Sequence, residues 1–413
     1  MNAEEFCREL SQYVPLSEAA VSQIVSSGSG SYYTTIDGKT FLDFSSGIFT
    51  NTFGHGNRDI ADAVYRTLCS VSNIHGRQWA GMLELCRRLF RMIPYGDYRA
   101  VFWGDGGAYA VDRVLTELYY FFGKRKYSLA AFDCGFHGKT QACKMALDDK
   151  ESAAYFRASK IPAPYCFRCP CGKSRGSCSL ECVSCAEEKL KQCKAEVFLF
   201  EPVLGSAVIV PPAEYWLRIQ DFCRANNILM AADEVLTAGG RTGTFTACEG
   251  FGIVPDVLIM TKGLANGLPL SAMLIRPSLA ENPFSSRTFN YSSTFMGVPA
   301  LLEAASEVLR KIESENIIEN VRQRGSQLAE GLAEIQSMLP DVIGDVRSRG
   351  LMAAVEFVND DTGRKVFASA ENNGLELIPS GRIIRLGPPL NITAEDLSLG
   401  LRLLEQSIEE ALR

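Results

Sequence analysis

Short apolar runs alternate with amphipathic stretches of helical period through the middle of the chain, from about Ala61 to Pro299. The apolar runs are YRAVFWG, SLAAFD, AEVFLFEPV, ILMAADEV and DVLIMTKG, and AEYWLRIQDFCRANN is an example of the helical stretches. Runs of this length and composition are typical of buried β-strands. Strands that alternate with helices predict an α/β domain built on a mostly parallel sheet.

The pattern changes after Pro299. One long helical stretch, ALLEAASEVLRKIESENIIENVRQRGSQLAEGLAEIQSML, precedes the strand-like runs IGDVRSRGLMAAVEFV and RIIRLGPPL and a last helix. This order of elements predicts a second, smaller α+β domain.

Composition and charge narrow the class of partner. The 413 residues carry a net charge of -6 and contain no block of lysines and arginines, which argues against binding to nucleic acid or to acidic membranes. No run approaches 18 apolar residues, and two glutamates stand where a secretory signal would carry positive charge. We therefore expect small-molecule partners, a cytoplasmic location and reduced thiols for the fourteen cysteines.

Two charged residues end apolar runs and are candidates for catalysis. Lys262 follows DVLIM, and a lysine shielded from water at a strand end can form a Schiff base with an aldehyde. Asp233 ends ILMAA, where a buried carboxylate needs a cationic partner such as a protonated pyridine nitrogen. Taken alone, the lysine is more often a solvated surface residue, and the aspartate is equally well a helix cap or half of a salt bridge.

Two further motifs favour a phosphorylated, planar ligand. Gly104, Gly106 and Gly107 lie between a strand-like run and a helix, where backbone N–H groups can approach a phosphate. Phe136 precedes His137 just after another strand and can offer an aromatic face to a planar ring. A lone glycine-rich turn is usually only a turn, and an aromatic residue in this place is more often part of the core.

These elements, in this order, resemble the class III aminotransferases, the subgroup of fold type I pyridoxal-phosphate enzymes that includes ornithine, acetylornithine and 4-aminobutyrate aminotransferases. The resemblance covers nearly the whole chain, and its motifs are GSYYTTIDGKTFLDFSSGIFTNTFGHGN, EPVLGSAVIVPPAEY, DEVLTAGGRTGTF, GIVPDVLIMTKGLANGLPLSAM, YSSTFMGVPA, VRSRGLMAAVEF and IIRLGPPLNIT. It implies a homodimer and a large cofactor domain at residues 56–300. The small domain then combines residues 1–55 with residues 301–413.

The resemblance also implies the roles of individual residues. Lys262 would bind the cofactor and move a proton between substrate and cofactor, and Asp233 would pair with the pyridine nitrogen. Val235 and Phe136 would lie on opposite faces of the ring, and Thr294 would reach the phosphate of the neighbouring subunit. The complete set of cofactor-binding residues is Gly107, Ala108, Phe136, His137, Glu201, Asp233, Val235, Lys262 and Thr294.

For the substrate, the resemblance implies that Arg385 binds a carboxylate and that Phe49 contributes to the same site. The chain departs from the family pattern at three positions. Tyr109 stands where a glutamate is usual, and Leu236 stands where many relatives have glutamine. Ser206 stands where relatives that process terminal amines and glutamate in one pocket have a glutamate. Without a glutamate at position 206 to neutralise it, Arg385 either keeps a carboxylate nearby in at least one half-reaction or swings away.

Six cysteines crowd the segment PYCFRCPCGKSRGSCSLECVSC, within an insertion at residues 164–193. The spacing of Cys166, Cys169, Cys178 and Cys182 suits tetrahedral coordination of zinc, with an iron–sulfur cluster as the less favoured metal. The alternative is a set of free thiols in a loop near the dimer interface.

The expected function is transfer of an amino group between an amine or amino acid and an oxo acid, in a ping-pong reaction that uses pyridoxal phosphate. The same scaffold supports aminomutase, racemase and decarboxylating reactions, which are the alternatives. A more distant one is a non-catalytic binding protein that carries zinc in the cysteine segment.

Overall fold

The computed structural model describes residues 3–15, 23–75, 77–148, 153–174, 177–280 and 292–413. Within these ranges, the strands form three sheets. They are β1 (Val25–Ser29), β2 (Tyr32–Thr35), β3 (Thr40–Asp43), β4 (Arg99–Trp103), β5 (Tyr127–Phe132), β6 (Phe156–Ile161), β7 (Val197–Phe200), β8 (Leu229–Asp233), β9 (Val257–Met260), β10 (Ser271–Ile275), β11 (Ile343–Arg349), β12 (Met352–Phe357), β13 (Leu375–Glu376), β14 (Ile378–Ser380) and β15 (Ile383–Leu386).

Helices form the first and last elements of the chain, and others pack on the two faces of the largest sheet. They are α1 (Ala3–Leu10), α2 (Arg58–Ser70), α3 (Met82–Met92), α4 (Gly107–Phe121), α5 (Gln141–Met145), α6 (Glu181–Gln192), α7 (Ala213–Ala225), α8 (Ala247–Phe251), α9 (Pro277–Ala280), α10 (Pro299–Ser314), α11 (Ile317–Met338), α12 (Asp360–Asn372) and α13 (Ala394–Ala411). In the part of the chain described above, no helix is both long enough and apolar enough to cross a bilayer.

The largest sheet has seven strands in the order β4-β10-β9-β8-β7-β5-β6. The five apolar runs singled out in the sequence supply β4, β5, β7, β8 and β9. Strands β5 to β9 pair in parallel, whereas β10 runs antiparallel to both of its neighbours. The prediction of an α/β fold with a mostly parallel sheet is therefore confirmed.

Both faces of this sheet are buried, as the apolar runs predict. On β7, Phe198 and Phe200 belong to the core cluster of one face, where the ring of Phe200 lies 4.7 Å from that of Trp216. Val197 and Leu199 belong to the cluster of the other face. The alternation of side chains along a strand thus divides the core into two layers.

Two four-stranded sheets make up the smaller part of the fold. One has the order β1-β2-β3-β13, and in it Leu375 of β13 pairs in parallel with Leu42 of β3. The other, β11-β12-β15-β14, is antiparallel throughout. Because β13 pairs with β3, the N-terminal segment and the C-terminal third share a sheet.

The helical stretch after Pro299 differs from the prediction, because it is two helices rather than one. Helix α10 ends at Ser314 and α11 begins at Ile317. Between them, Asn316 adopts a left-handed conformation with φ of 51°. Asparagine is among the few residues that tolerate this region, so the break occurs where the backbone cost is small.

Candidate active site

The two candidate catalytic residues lie at the carboxyl ends of adjacent parallel strands. Asp233 is the last residue of β8, and Lys262 follows β9 at the start of a 3-10 turn, Lys262–Leu264. Strand β8 pairs in parallel with β9, with Asp233 opposite Ile259. Ligands of open α/β sheets bind at this edge, and the register brings both side chains to it.

A cavity of about 270 Å³ opens at this edge of the sheet. Its lining residues are Gly107, Ala108, Phe136, His137, Gly138, Lys139, Glu201, Asp233, Val235, Leu236 and Lys262. Of these, Gly138 and Lys139 were not predicted as site residues from the sequence. Both directly follow His137 in the loop after β5, so the sequence contained a signal for them.

Asp233 is held by a buried histidine. The Oδ2 atom of Asp233 lies 2.8 Å from Nδ1 of His137, and Oδ1 accepts a hydrogen bond from the backbone N–H of Val235. Burial opposes protonation of His137, but the hydrogen bond and charge of Asp233 outweigh it and raise the pKa of the imidazole. The two contacts therefore fix the orientation of the carboxylate.

Lys262 lies in an environment that favours a neutral amine. Burial lowers the pKa of Lys262 to about 8, against the opposing effect of the Asp233 charge, and the positive charge of Arg385 lowers it further. A lysine whose pKa lies near neutrality carries a larger fraction of unprotonated, nucleophilic amine than an exposed lysine does.

Glu201 is a second buried carboxyl group in the cavity. Its Oε1 accepts from the backbone N–H of Phe136 and its Oε2 from that of Gly205, both at 2.8 Å. Burial, reinforced by the charge of Asp233, raises the pKa of Glu201 to about 7, although His137 opposes this shift. Glu201 ties the loop that carries Phe136 to the loop that follows β7.

The glycine-rich turn before α4 brings backbone to the cavity wall. Gly107 is the first residue of this 15-residue helix, and a Cβ atom added to it would lie 2.7 Å from Cγ1 of Val235. Only glycine fits there without displacing Val235. The N-terminus of α4, whose first N–H groups have no partner within the helix, therefore lies beside the cavity and favours an anion.

Arg385 projects from β15 towards the same region. Its Nη1 donates to the carbonyl oxygen of Gly205 at 3.0 Å, and its buried Nε has no hydrogen-bond partner among the described residues. Burial lowers the pKa of Arg385, and the charge of Glu201 opposes that shift. A partly buried guanidinium with an unused donor can bind a carboxylate.

Three residues of the predicted site, Arg385, Phe49 and Thr294, are not among those that line the cavity. Phe49 is 2% exposed, and its ring packs so closely on Gly387 that a Cβ there would lie 2.1 Å from Cε1 of Phe49. The reason is a left-handed turn that points Phe49 inwards and leaves its neighbour Ile48 half exposed. Thr294 is exposed, and its carbonyl oxygen accepts from Nδ2 of Asn73.

The predicted metal site in the cysteine segment is not supported. Cys166, Cys169, Cys178 and Cys182 do line one small cavity, of about 30 Å³. However, no group of three or more histidine, cysteine, aspartate or glutamate side chains in the described ranges is arranged to hold a metal ion. Cys182 lies in the core on α6, where burial raises the pKa of its thiol to about 11 and so disfavours the thiolate that a metal requires. None of the fourteen cysteines forms a disulfide.

The residues around the cavity fit pyridoxal phosphate. A buried carboxylate, a lysine amine of lowered pKa and the N-terminus of a helix all meet one space, and each suits a different part of that molecule. The buried Nε2 of His137, which lacks a hydrogen-bond partner among the described residues, adds an unused polar atom to the wall.

Comparisons with known proteins agree with this chemistry. Residues 13–408 match the family model described as aminotransferase class III. The adenosylmethionine-8-amino-7-oxononanoate aminotransferase of Geobacter sulfurreducens is 31% identical over 93% of this chain and 91% of its own length. The leucine/methionine racemase of Thermococcus litoralis is also 31% identical, over 91% of this chain and 88% of its own.

A solved structure shows the same fold. The omega transaminase of Pseudomonas jessenii in complex with PMP superposes with a TM-score of 0.88 at 25% identity, covering 98% of this chain and 97% of that one. The chain therefore belongs to the class III aminotransferases and is a pyridoxal-phosphate-dependent aminotransferase of fold type I.

Proposed function

We propose that this aminotransferase uses Lys262 and Asp233 for its chemistry and holds a carboxylate-bearing oxo acid with Arg385. The observation that carries the proposal is that Lys262 and Asp233 line one cavity, and that Arg385 donates to the carbonyl oxygen of Gly205, whose N–H donates to Glu201 of the same cavity. The charges of Asp233 and Arg385 both act on the pKa of Lys262. A substrate carboxylate bound by Arg385 would therefore lie near Lys262.

Pyridoxal phosphate supplies an aldehyde that condenses with primary amines and a protonated ring that withdraws electrons. Lys262 would be the amine that holds the cofactor, and it would move a proton at the substrate carbon. Its lowered pKa suits both tasks, because the neutral amine is the nucleophile and the base.

Asp233 keeps the ring nitrogen protonated, and His137 keeps Asp233 in place. The support is the 2.8 Å contact between His137 Nδ1 and Asp233 Oδ2, since it restrains the carboxylate that faces the cavity. Val235 and Phe136, which line the cavity, would lie on the two faces of the ring. The backbone at Gly107 and Ala108, at the N-terminus of α4, would hold the phosphate.

Single half-reactions test the substrate class. Cofactor-loaded enzyme is mixed with one amine donor and no acceptor, and then the aminated enzyme is mixed with one acceptor, while the visible absorbance of the cofactor is followed. We expect oxo acids to restore the original spectrum much faster than aldehydes of matched size. Equal rates for the two classes of acceptor would contradict the role of Arg385.

The alternative reaction is racemisation, because the relative from Thermococcus litoralis is named a leucine/methionine racemase. The two activities are separated by incubating one enantiomer of an amino acid with the enzyme in the absence of any oxo acid. A racemase interconverts the enantiomers catalytically, whereas an aminotransferase stops after one equivalent of amino group per site.

We also propose that the enzyme is a homodimer in which Thr294 completes the phosphate site of the other subunit. Thr294 is exposed and does not line the cavity of its own chain. Helices α2 and α3 both pack on α10 and expose large apolar side chains, with Tyr65 68%, Leu68 52% and Leu83 59% exposed. Large apolar side chains exposed to this degree favour a protein interface.

Hybrid dimers test this arrangement. If Thr294 acts across the interface, a dimer of one Lys262→Ala chain and one Thr294→Ala chain contains one intact site, and mixing the two chains restores activity that neither homodimer has. If Thr294 acts within its own chain, mixing restores none. Light scattering gives the mass of each preparation.

A further inference from the structure

A single buried threonine links the turn that carries Lys262 to the chain that follows Arg385. Thr52 is 1% exposed. Its Oγ1 donates to the carbonyl oxygen of Gly263 at 2.9 Å, and its own carbonyl oxygen accepts from the N–H of Leu390 at 2.8 Å. Gly263 is the residue after Lys262, and Leu390 lies five residues after Arg385.

The contacts on the lysine side extend beyond Thr52. The N–H of Phe53 donates to Oδ1 of Asn266 at 2.7 Å, and the N–H of Gly267 donates to the carbonyl oxygen of Thr50 at 3.0 Å. Of these three hydrogen bonds, all between described residues, only that of Thr52 reaches Gly263, the residue adjacent to Lys262.

The contacts on the arginine side come from the same segment, residues 43–55. Ser46 Oγ donates to the carbonyl oxygen of Gly387 at 2.7 Å, and the N–H of Gly387 donates to the carbonyl oxygen of Phe44 at 2.6 Å. Gly387 lies two residues after Arg385. Residues 43–55 therefore contact the carriers of both functional side chains.

This segment contains a strained turn. Ser46, Gly47, Ile48 and Phe49 all have left-handed φ values, of 48°, 58°, 59° and 64°. The backbone N–H groups of residues 45 and 46 donate to Oδ1 of buried Asp43, at 2.8 and 2.7 Å, and Oδ2 of Asp43 lies 2.9 Å from Nε2 of His55. Left-handed conformations cost free energy at residues other than glycine and persist where the surroundings enforce them, often at functional sites.

We propose that Thr52 is a positioning residue for catalysis, and that Ser46 is its counterpart on the substrate side. The Thr52 hydroxyl holds the Lys262 turn at a fixed distance from Arg385, and the Ser46 hydroxyl holds the end of the strand that carries Arg385. The proposal rests on the proposed roles of Lys262 and Arg385. In this proposal, residues 43–55 keep Lys262, which transfers the proton, in register with Arg385, which binds the carboxylate.

The two hydroxyls have separable kinetic consequences. Loss of the Thr52 hydroxyl frees the Lys262 turn but leaves Arg385 in place, so kcat falls while KM for the oxo acid stays near its original value. Loss of the Ser46 hydroxyl loosens the Arg385 strand, so KM for the oxo acid rises and kcat changes less. If either hydroxyl had only a structural role, its loss would lower the melting temperature without separating the effect on kcat from the effect on KM.

The variants are Thr52→Val, which keeps the shape and loses the donor, and Thr52→Ser, which keeps the donor. Thr67→Val is the matched control, because Thr67 is 7% exposed and its Oγ1 donates to the carbonyl oxygen of Ala63 within α2, outside the site. Misplacement of a reacting group by about 1 Å costs up to roughly a hundredfold in rate. We expect kcat of Thr52→Val to fall about tenfold to a hundredfold, with Thr52→Ser and Thr67→Val close to the unmodified enzyme.

A spectroscopic measurement accompanies the kinetics. The pH at which the visible absorbance of the bound cofactor changes should shift in Thr52→Val, because the environment of Lys262 changes, and should stay constant in Thr67→Val. If Thr52→Val does not fold, Ser46→Ala decides the matter through its rise in KM. The proposal would be overturned if kcat and the titration were unchanged in Thr52→Val, or if Thr52→Ser or Thr67→Val lost as much activity as Thr52→Val does.

Lys262→Ala separates this proposal from the proposed function on which it rests. If Lys262→Ala retains turnover, the catalytic assignment itself is wrong. If Lys262→Ala is inactive and Thr52→Val behaves as the unmodified enzyme does, only the positioning role is wrong.

Discussion

His137 Nδ1 and Asp233 Oδ2 lie 2.8 Å apart in a site where both side chains are almost completely buried. The pair joins the loop after β5 to the end of β8, two elements that come to the same edge of the central sheet. Its consequence is an aspartate whose orientation towards the cavity is set by a second residue rather than by its own strand alone.

The first prediction concerns this pair. His137→Phe removes the ring nitrogen that contacts Asp233, and we expect cofactor binding to persist while transamination falls about tenfold or more. A hydrogen bond to a charged group contributes about 1.5–3 kcal/mol, and each 1.36 kcal/mol corresponds to a factor of ten in rate. His137→Asn, which retains a donor near the position of Nδ1, is the control. Steady-state rates of the two variants give the comparison, and equal rates would argue against a role for the contact.

The second prediction is that Asp233→Asn retains the cofactor but transaminates several orders of magnitude more slowly, since a neutral amide does not hold the ring nitrogen protonated. Asp256→Asn is a matched control. Asp256 accepts from the N–H of Met230 near the opposite end of the same strands, so its loss tests the effect of removing a partly buried carboxylate away from the site. Near-normal turnover in Asp233→Asn would contradict its role.

The third prediction concerns Arg385. Arg385→Ala should lower kcat/KM for oxo acids by a factor that corresponds to about 1.5–3 kcal/mol, the contribution of a charge-assisted contact. Its effect on an aldehyde acceptor without a carboxylate should be small. Arg382→Ala, which removes an exposed arginine paired with Asp360, serves as the control. If both classes of acceptor are affected equally, Arg385 has a structural role.

The fourth prediction uses the lowered pKa of Lys262 in cofactor-free protein. The ordinary pKa of lysine, 10.5, falls to about 8 on folding, so between these values the unfolded chain binds more protons and stability rises with pH. The penalty for burying the charged amine is fully present below pH 8 and disappears above about pH 10.5. The shift of about 2.5 pKa units corresponds to roughly 3 kcal/mol.

Lys262→Met removes the titrating group and tests this sign. Relative to the unmodified protein, its stability should be higher at pH 7, and the difference should shrink as the pH rises through 8 towards 10.5. Denaturant unfolding of both cofactor-free proteins at several pH values measures the difference. A difference that is constant with pH would show that Lys262 keeps its ordinary pKa.

The placement of much of the candidate site follows from the sequence because it depends on strand ends. Asp233 and Lys262 each end an apolar run, and two such runs become adjacent parallel strands whose carboxyl ends meet. The position of Phe49 could not be predicted from the sequence. A left-handed turn determines that its side chain points inwards, and the hydrophobic pattern of a sequence does not indicate left-handed backbone. The break at Asn316 has the same origin.

The cysteine segment shows another limit of sequence patterns. The four cysteines chosen by their spacing, Cys166, Cys169, Cys178 and Cys182, do line one small cavity. Metal binding also requires thiolates that converge on one point, and no such group is found among the described residues. In addition, burial of Cys182 raises the pKa of its thiol and so disfavours the thiolate. Strand β10 was missed for a different reason. Its antiparallel direction depends on pairing with β4 and β9, which lie far apart in sequence.

The most direct test of the account is to identify the lysine that holds the cofactor. The cofactor-loaded enzyme is reduced with borohydride, digested, and its modified peptide sequenced by mass spectrometry. We predict that the reduced cofactor is attached to Lys262, in the peptide that contains MTKGLANG, at about one equivalent per chain. Attachment to Lys139, which also lines the cavity, or to any other lysine would contradict the assignment of the site.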